Sequence, residues 1–168
     1  MDAGAHMFQA AEYWQAVEPG EFLISNGLAT MGFALPAAIA CQLARPEQRV
    51  VCFTGDGGFM MVAAEIETAV RLRLPITVIV FNDAALSLIE IKQEQKGYAG
   101  ASMRYAGPDP AALARSFGVP AWAAKDEAGF AGALVAAQGA QGPTLIDARI
   151  DPSGYRRMLE IVRGPGRR

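Results

Sequence analysis

Short apolar runs alternate along the chain with longer stretches of helical periodicity, and Gly, Pro, Asn and Asp separate them. Residues 49–54 (Arg-Val-Val-Cys-Phe-Thr) are β-branched and apolar, which predicts a buried strand stopping at Gly55-Asp56-Gly57-Gly58. Beyond it Phe59, Val62, Ile66, Ala69 and Val70 recur at three- and four-residue spacing, with Glu67 and Arg71 on the other side. That is the pattern of an amphipathic helix, and Pro75 closes it. Residues 76–81 are apolar almost throughout and predict the clearest strand, followed at once by Asn82-Asp83. Further strands are expected at residues 22–24, 119–123 and 144–148. Helices are expected over residues 32–44, 86–95 and 110–117, and from a cap at Asp126 to about Gln138. Pro36 fits the first of these because it falls near the first turn, where no intrahelical N–H bond is lost. Residues 97–110, rich in Gly, Pro and Tyr, read as a loop.

Strand and helix in regular succession predict an α/β fold, an open and mainly parallel sheet with helices on both faces. Ligands of such sheets bind beyond the carboxyl ends of the strands. The two most unusual local features, Gly55-Asp56-Gly57-Gly58 and Asn82-Asp83, both sit at predicted strand carboxyl ends. A fold reading thereby becomes a site hypothesis.

Composition narrows the chemistry. With 168 residues and 52% hydrophobic content, one domain is expected over residues 1–162, and a frayed tail over residues 163–168. A net charge of -2 argues against nucleic acid as a partner, since phosphate binding wants a basic surplus. No apolar run approaches the roughly 20 residues of a membrane span, and the N-terminus lacks a signal-peptide pattern. A soluble, cytoplasmic protein is expected. The single histidine, His6, lies near the start, which disfavours His-based triads and multi-His zinc sites. Cys41 and Cys52 lack CxxC spacing and are expected as buried free thiols.

Glycines between a strand and a helix let the backbone approach a ligand and aim free N–H groups at it, and phosphate is the natural guest. The loop is no Walker A motif, lacking the Lys-Ser/Thr pair, and it lacks the third glycine of the dinucleotide fingerprint. An acid inside a phosphate-binding turn makes sense if a divalent cation lies between carboxylate and phosphate. Mg2+ suits this, since it commonly takes one or two carboxylates plus phosphate oxygens and water. Asp56 would be the first protein ligand, with Asn82 or Asp83 completing the set.

Gly55-Asp56-Gly57, then 24 residues, then Asn82 resembles the thiamine diphosphate signature, in which GDG is followed at that distance by an Asn pair. The segment 25–40 (Ser-Asn-Gly-Leu-Ala-Thr-Met-Gly-Phe-Ala-Leu-Pro-Ala-Ala-Ile-Ala) is similar to the corresponding stretch of acetolactate synthase large subunits. The resemblance implies a thiamine diphosphate-binding fold and a C-terminal, pyrophosphate-binding domain. It implies that Asp56 ligates Mg2+ and that Gly57 and Gly58 offer N–H groups to the diphosphate, with Gly55 and Asn82 in the same cofactor-binding set. It makes Asp83 the second side-chain ligand, with Asn82 as the alternative, and the Ala85 carbonyl the third ligand. Met31 matches the apolar residue that props the cofactor into a bent shape, and the Ala29 carbonyl matches the acceptor of its 4′-amino group.

Two departures accompany the resemblance. Asp83 stands where the family has an amide, adding a negative charge beside an anionic diphosphate. The pyrimidine-binding domain that supplies the family's activating glutamate is missing, and Glu65 and Glu67 read as helix surface or interface. The chain is therefore expected to be half of the active site of a 2-oxo-acid decarboxylase or carboligase, and a fragment of a longer protein. Alternatives are a small subunit working in trans, as in two-subunit sulfopyruvate decarboxylase, and a non-catalytic cofactor-binding or assembly module. Residues 86–92 are expected to face the substrate, with Lys92 solvated, and Tyr98 and Tyr105 to belong to a lid. A homo-oligomer is expected from the face left exposed.

Overall fold

The computed structural model describes residues 1–100 and 102–163. Strands β1 (Val51–Gly55), β2 (Thr77–Asn82), β3 (Ala121–Ala124) and β4 (Thr144–Arg149) form one parallel sheet in the order β1-β2-β4-β3. Among the described residues the helices are α1 (His6–Tyr13), α2 (Ala34–Ala44), α3 (Asp56–Val62), α4 (Glu65–Arg71), α5 (Ser87–Gln95), α6 (Pro110–Ser116), α7 (Glu127–Gln138) and α8 (Tyr155–Arg163). None is long and apolar enough to cross a membrane.

Successive side chains of a strand face opposite sides, so the apolar runs feed two cores. Cys52, Val78, Val80 and Leu145 pack with Leu35, Ile39, Phe59, Ile66 and Ala114 on one face. Ile79, Ile146 and Ala148 pack with Ala133 and Ala137 of α7 on the other, where Phe53 and Phe81 join them. A third cluster, built on Ala5, Ile91, Tyr155 and Leu159, ties α1, α5 and α8 together. Helices thus cover both faces of a parallel sheet, as the alternation predicts. Asp109 and Asp126 cap α6 and α7 by accepting the N–H groups of Ala112 and Gly129 at 2.9 and 2.8 Å.

The structure departs from the sequence pattern in four places. Residues 22–24 form no strand; the Leu23 carbonyl instead accepts the N-terminal ammonium of Met1 at 2.6 Å. The helix after β1 begins at Asp56 rather than Phe59, and it breaks at Ala63-Ala64 into α3 and α4. There Ile66 and Glu67 donate to Ala63 and Ala64, three residues back, the tighter turn that interrupts an α-helix. Helices α1 and α8 are not among the expected elements, although Tyr155, Met158, Leu159 and Val162 recur at helical spacing along α8, and each is held by the other through the third cluster. Arg163 ends α8 instead of beginning a frayed tail, and residues 164–168 of that expected tail lie outside the described residues. Cys52 is buried and Cys41 half-buried, both free.

Asp2 ties the segment before α2 to the carboxyl half of β1. It is fully buried, and its backbone N–H donates to the Phe53 carbonyl of β1 at 2.8 Å. Its carboxylate accepts the N–H groups of Gly32, Phe33 and Ala34 at 2.9, 2.9 and 3.2 Å, and the Thr54 hydroxyl at 3.0 Å. A residue 32 positions upstream thereby caps α2, whose own N-cap residue, Phe33, makes no side-chain cap bond. Anionic acceptors at a helix start are stabilised by the unpaired N–H groups and the dipole. Asp2→Ala strands those donors inside the protein, and it is expected to lower stability by about 3 kcal/mol. Denaturant unfolding checks this; a loss under about 1 kcal/mol would show that water replaces the carboxylate.

Candidate functional site

The parallel pairing of β1 with β2 sets Gly55 opposite Phe81. The next residues, Asp56 at the start of α3 and Asn82 at the end of β2, therefore reach the same carboxyl edge. Here a cleft of about 310 Å³ opens, lined by Gly55, Asp56, Gly57, Gly58, Asp83 and Ala85 from these two strand ends. Ala29 and Met31 reach it from the segment before α2, the arm that Asp2 anchors. Leu86, Leu88, Ile89 and Lys92 line it from the start of α5, with Lys92 exposed. Ala29 and Ala84 hold left-handed backbone at φ 50° and 55°, a conformation that L-residues seldom keep without surrounding support.

Asn82 is the one residue of the expected set whose side chain is engaged elsewhere. It is buried and donates from Nδ2 to Asp147 Oδ1 at 2.8 Å, while its Oδ1 accepts the Ala84 N–H at 3.2 Å. Asp83 lines the cleft instead, with the Ser87 hydroxyl donating to its carboxylate. Glu65 and Glu67 are exposed on α4, away from the cleft lining, and Glu67 pairs with Arg71.

Burial pushes the Asp56 carboxyl up to about 6. The Gly57 N–H, donating to Oδ1 at 2.9 Å, works against that rise, and the nearby Asp83 carboxylate adds to it. Two carboxylates thus share one poorly solvated corner. The described residues contain no group of three or more His, Cys, Asp or Glu side chains able to enclose a metal by themselves.

Residues 103–105 are pinned across this corner. Met103 O accepts Leu86 N–H at 2.8 Å, Ala84 O accepts Tyr105 N–H at 3.0 Å, and Arg104 pairs with Glu90. Tyr98 is exposed, whereas the Tyr105 hydroxyl is buried near Gly57, facing the Asp56 carboxylate. Burial and the Asp56 carboxylate both raise the pKa of that phenol.

His6 is the residue that sequence reasoning missed. From the first turn of α1 it lines the cleft, buried, with its ring stacked on Phe81 at 5.4 Å between centroids. Its Nε2 is buried and unpartnered. Nothing in a lone histidine near a chain start signals this; the nearest cue is Gly4, where a Cβ would lie 2.4 Å from the imidazole Cε1.

Gly57 and Gly58 are glycine for different reasons. A Cβ on Gly58 would lie 2.1 Å from Asp2 Oδ2, a carboxylate fixed by four donors. A Cβ on Gly57 would meet Leu86 Cδ2 at 2.6 Å and Tyr105 Oη at 3.0 Å, the free ends of side chains at the cleft. Gly58→Ala is expected to cost about 3 kcal/mol of stability and Gly57→Ala about 1 kcal/mol or less. Paired unfolding curves check the ranking, and equal losses contradict it.

Burial also lowers His6, to about 4. Below its ordinary value near 6.5 the unfolded chain takes up a proton that the folded chain refuses. Stability therefore falls as pH drops from 6.5 toward 4, by about 3 kcal/mol from this group, and levels off below. Asp56 opposes this between about 6 and 4, because its raised pKa makes the folded chain the better proton acceptor there. Subtracting the unfolding profile of His6→Gln from that of the wild type isolates the histidine. A pH-independent difference would remove the effect.

Comparison with known proteins places this geometry. A family model described as "Thiamine pyrophosphate enzyme, C-terminal TPP binding domain" matches residues 2–148. The chain is 37% identical over 152 residues to the acetolactate synthase of Bacillus subtilis (strain 168), covering 90% of this chain and 27% of that protein. It is 35% identical over 160 residues to a probable acetolactate synthase large subunit of Methanococcus aeolicus, covering 94% of this chain and 27% of the relative. The isozyme 2 large subunit of Escherichia coli (strain K12) is 35% identical over 153 residues, covering 89% of this chain and 28% of the subunit. The chain thus spans little more than a quarter of the length of these relatives. A match that takes in β1, β2 and both strand-end loops leaves one assignment: the chain belongs to the thiamine pyrophosphate enzymes, as a C-terminal TPP-binding domain of the acetolactate synthase type.

Proposed function

We propose that the chain holds thiamine diphosphate through Mg2+ and forms half of the active site of a 2-oxo-acid decarboxylase or carboligase. The observation that carries this reading is the placement of Asp56 and Asp83 in one cleft at neighbouring strand ends, with the glycines of the β1 loop beside them. Two carboxylates cannot enclose a cation alone, which suits an ion that takes its remaining oxygens from a diphosphate and water. The leftover polar atoms fit an anionic guest as well. His6 Nε2 is buried and unpartnered at the same corner, and the Tyr105 hydroxyl is buried beside Asp56.

In this reading Asp56, Asp83 and the Ala85 carbonyl hold the ion, while Gly57 and Gly58 turn N–H groups toward the diphosphate. Met31 and Ala29, on the arm fixed by Asp2, set the shape and orientation of the rest of the cofactor. When bound, thiamine diphosphate supplies the electron sink for decarboxylation. The chain's contribution is to bind, orient and desolvate.

No glutamate lines the cleft among the described residues, so the activating carboxylate belongs to a pyrimidine-binding domain, in the same protein or in trans. Leu28, Met61 and Ile89 are large apolar side chains left 91%, 61% and 39% exposed, and Leu28 and Ile89 border the cleft, which supports such a docking face.

Calorimetric titration is expected to show thiamine diphosphate binding that requires Mg2+ and is not matched by ADP. Asp83→Asn removes one negative charge from the corner and should weaken Mg2+ binding several-fold, making cofactor retention less dependent on the ion. Binding unaffected by chelation of Mg2+ would sink the ion-bridge reading, and unchanged affinities in Asp83→Asn would remove the special role of that carboxylate.

A further inference from the structure

The side chain of Asn82 is kept out of the cleft by a carboxylate from another strand. Asp147 of β4 is fully buried, and it accepts Asn82 Nδ2 at 2.8 Å through Oδ1 and Arg149 at 3.0 Å through Oδ2. At the far end of the same amide, Asn82 Oδ1 accepts the Ala84 N–H at 3.2 Å. Ala84 is the left-handed residue, φ 55°, of the loop between Asp83 and Ala85.

The polarity of this chain of bonds follows from the donor inventory. An ionised carboxylate only accepts, so Asn82 must present its NH2 to Asp147. Its carbonyl oxygen is then the only end free to receive the Ala84 N–H. An amide at position 147 could donate or accept, and would leave Asn82 free to flip. Arg149, with its side chain 43% exposed, balances the buried charge from the rim of the sheet. Ala84 lies between the two groups proposed to meet the cation, so fixing its N–H fixes the turn that aims both.

The geometry points to Asp147 as a positioning residue, which acts through Asn82 to set the turn at Ala84 and so presents Asp83 and the Ala85 carbonyl to a cation in the cleft. This rests on the Mg2+–thiamine diphosphate reading above. Partners one step removed from a metal typically change its affinity by about 10- to 100-fold when removed.

Asp147→Leu leaves the Asn82 amide and Arg149 without their acceptor, and a loss of stability is expected. Asn82→Leu combined with Asp147→Leu removes both ends of the bond, which restores part of that stability because the buried Asn82 amide is no longer orphaned. In the double variant the Ala84 N–H loses the Asn82 acceptor and keeps only the Asp56 carboxylate. Titration of the double variant with thiamine diphosphate and Mg2+ should show about tenfold weaker binding than the wild type. In the cofactor-free chain its Ala84 amide should exchange faster with deuterium. Wild-type affinity in a cooperatively folding double variant overturns the positioning role.

If the double variant does not fold, Asp147→Asn decides. Weaker Mg2+-dependent binding with faster Ala84 exchange supports the role, and no change in either removes it. A wild-type chain that binds no thiamine diphosphate with Mg2+ overturns the functional reading instead, and the Ala84 exchange comparison still tests whether Asp147 holds the turn.

Discussion

Everything at the site depends on the hydrogen-bonded register between two parallel strands. Parallel pairing brings both carboxyl ends to the same edge, and setting Gly55 opposite Phe81 makes those ends level. Two loops that are 26 residues apart in sequence, at Asp56 and Asn82, thereby emerge as neighbours. A slip of one residue would turn every side chain of a strand to the opposite face. The apolar partition of β2, with Val78 and Val80 on one side and Ile79 and Phe81 on the other, guards against that slip.

The second constraint is electrostatic. Three buried carboxylates surround the strand ends, and each is handled differently. Asp2 is satisfied by three backbone N–H groups and a hydroxyl, which turns it into a remote helix cap. Asp147 is satisfied by an amide and a guanidinium. Asp56 accepts the N–H of the adjacent Gly57 and faces Asp83, so burial leaves its charge only partly compensated. Perturbed groups of that kind concentrate at functional sites because structural carboxylates are given partners. Burial raises Asp147 as well as Asp56, but only Asp56 lines the cleft beside a second carboxylate, and that place singles it out.

Much of this was legible beforehand, and the exceptions share a cause. Strand β2 stands out because burial on both faces demands a nearly unbroken apolar run, and shorter apolar runs mark β1 and β4. The caps at Asp109 and Asp126 are local, so their signals lie within three residues. Residues 22–24 look like a strand by composition, yet a strand exists only where a partner edge receives it. Helix α8 carries apolar Tyr155, Met158, Leu159 and Val162 at helical spacing, but that α1 and α5 are what its apolar face meets is set by the tertiary structure. His6 falls in the same class: its burial comes from Phe81 and Gly55, which are remote in the chain.

The sequence by itself determined the parallel α/β architecture, the two strand-end loops and the family, because periodicity, punctuation and spacing are written in consecutive residues. Only the tertiary structure decided which member of the Asn82-Asp83 pair enters the cleft, what holds the other away, and that His6 joins them. It also decided why Gly58 carries no side chain, since the space a Cβ would need is taken by a carboxylate from position 2. The physical reason is common to all of these. Each depends on a hydrogen bond or a steric contact between residues separated by 50 or more positions, and no pattern in consecutive residues encodes such a contact.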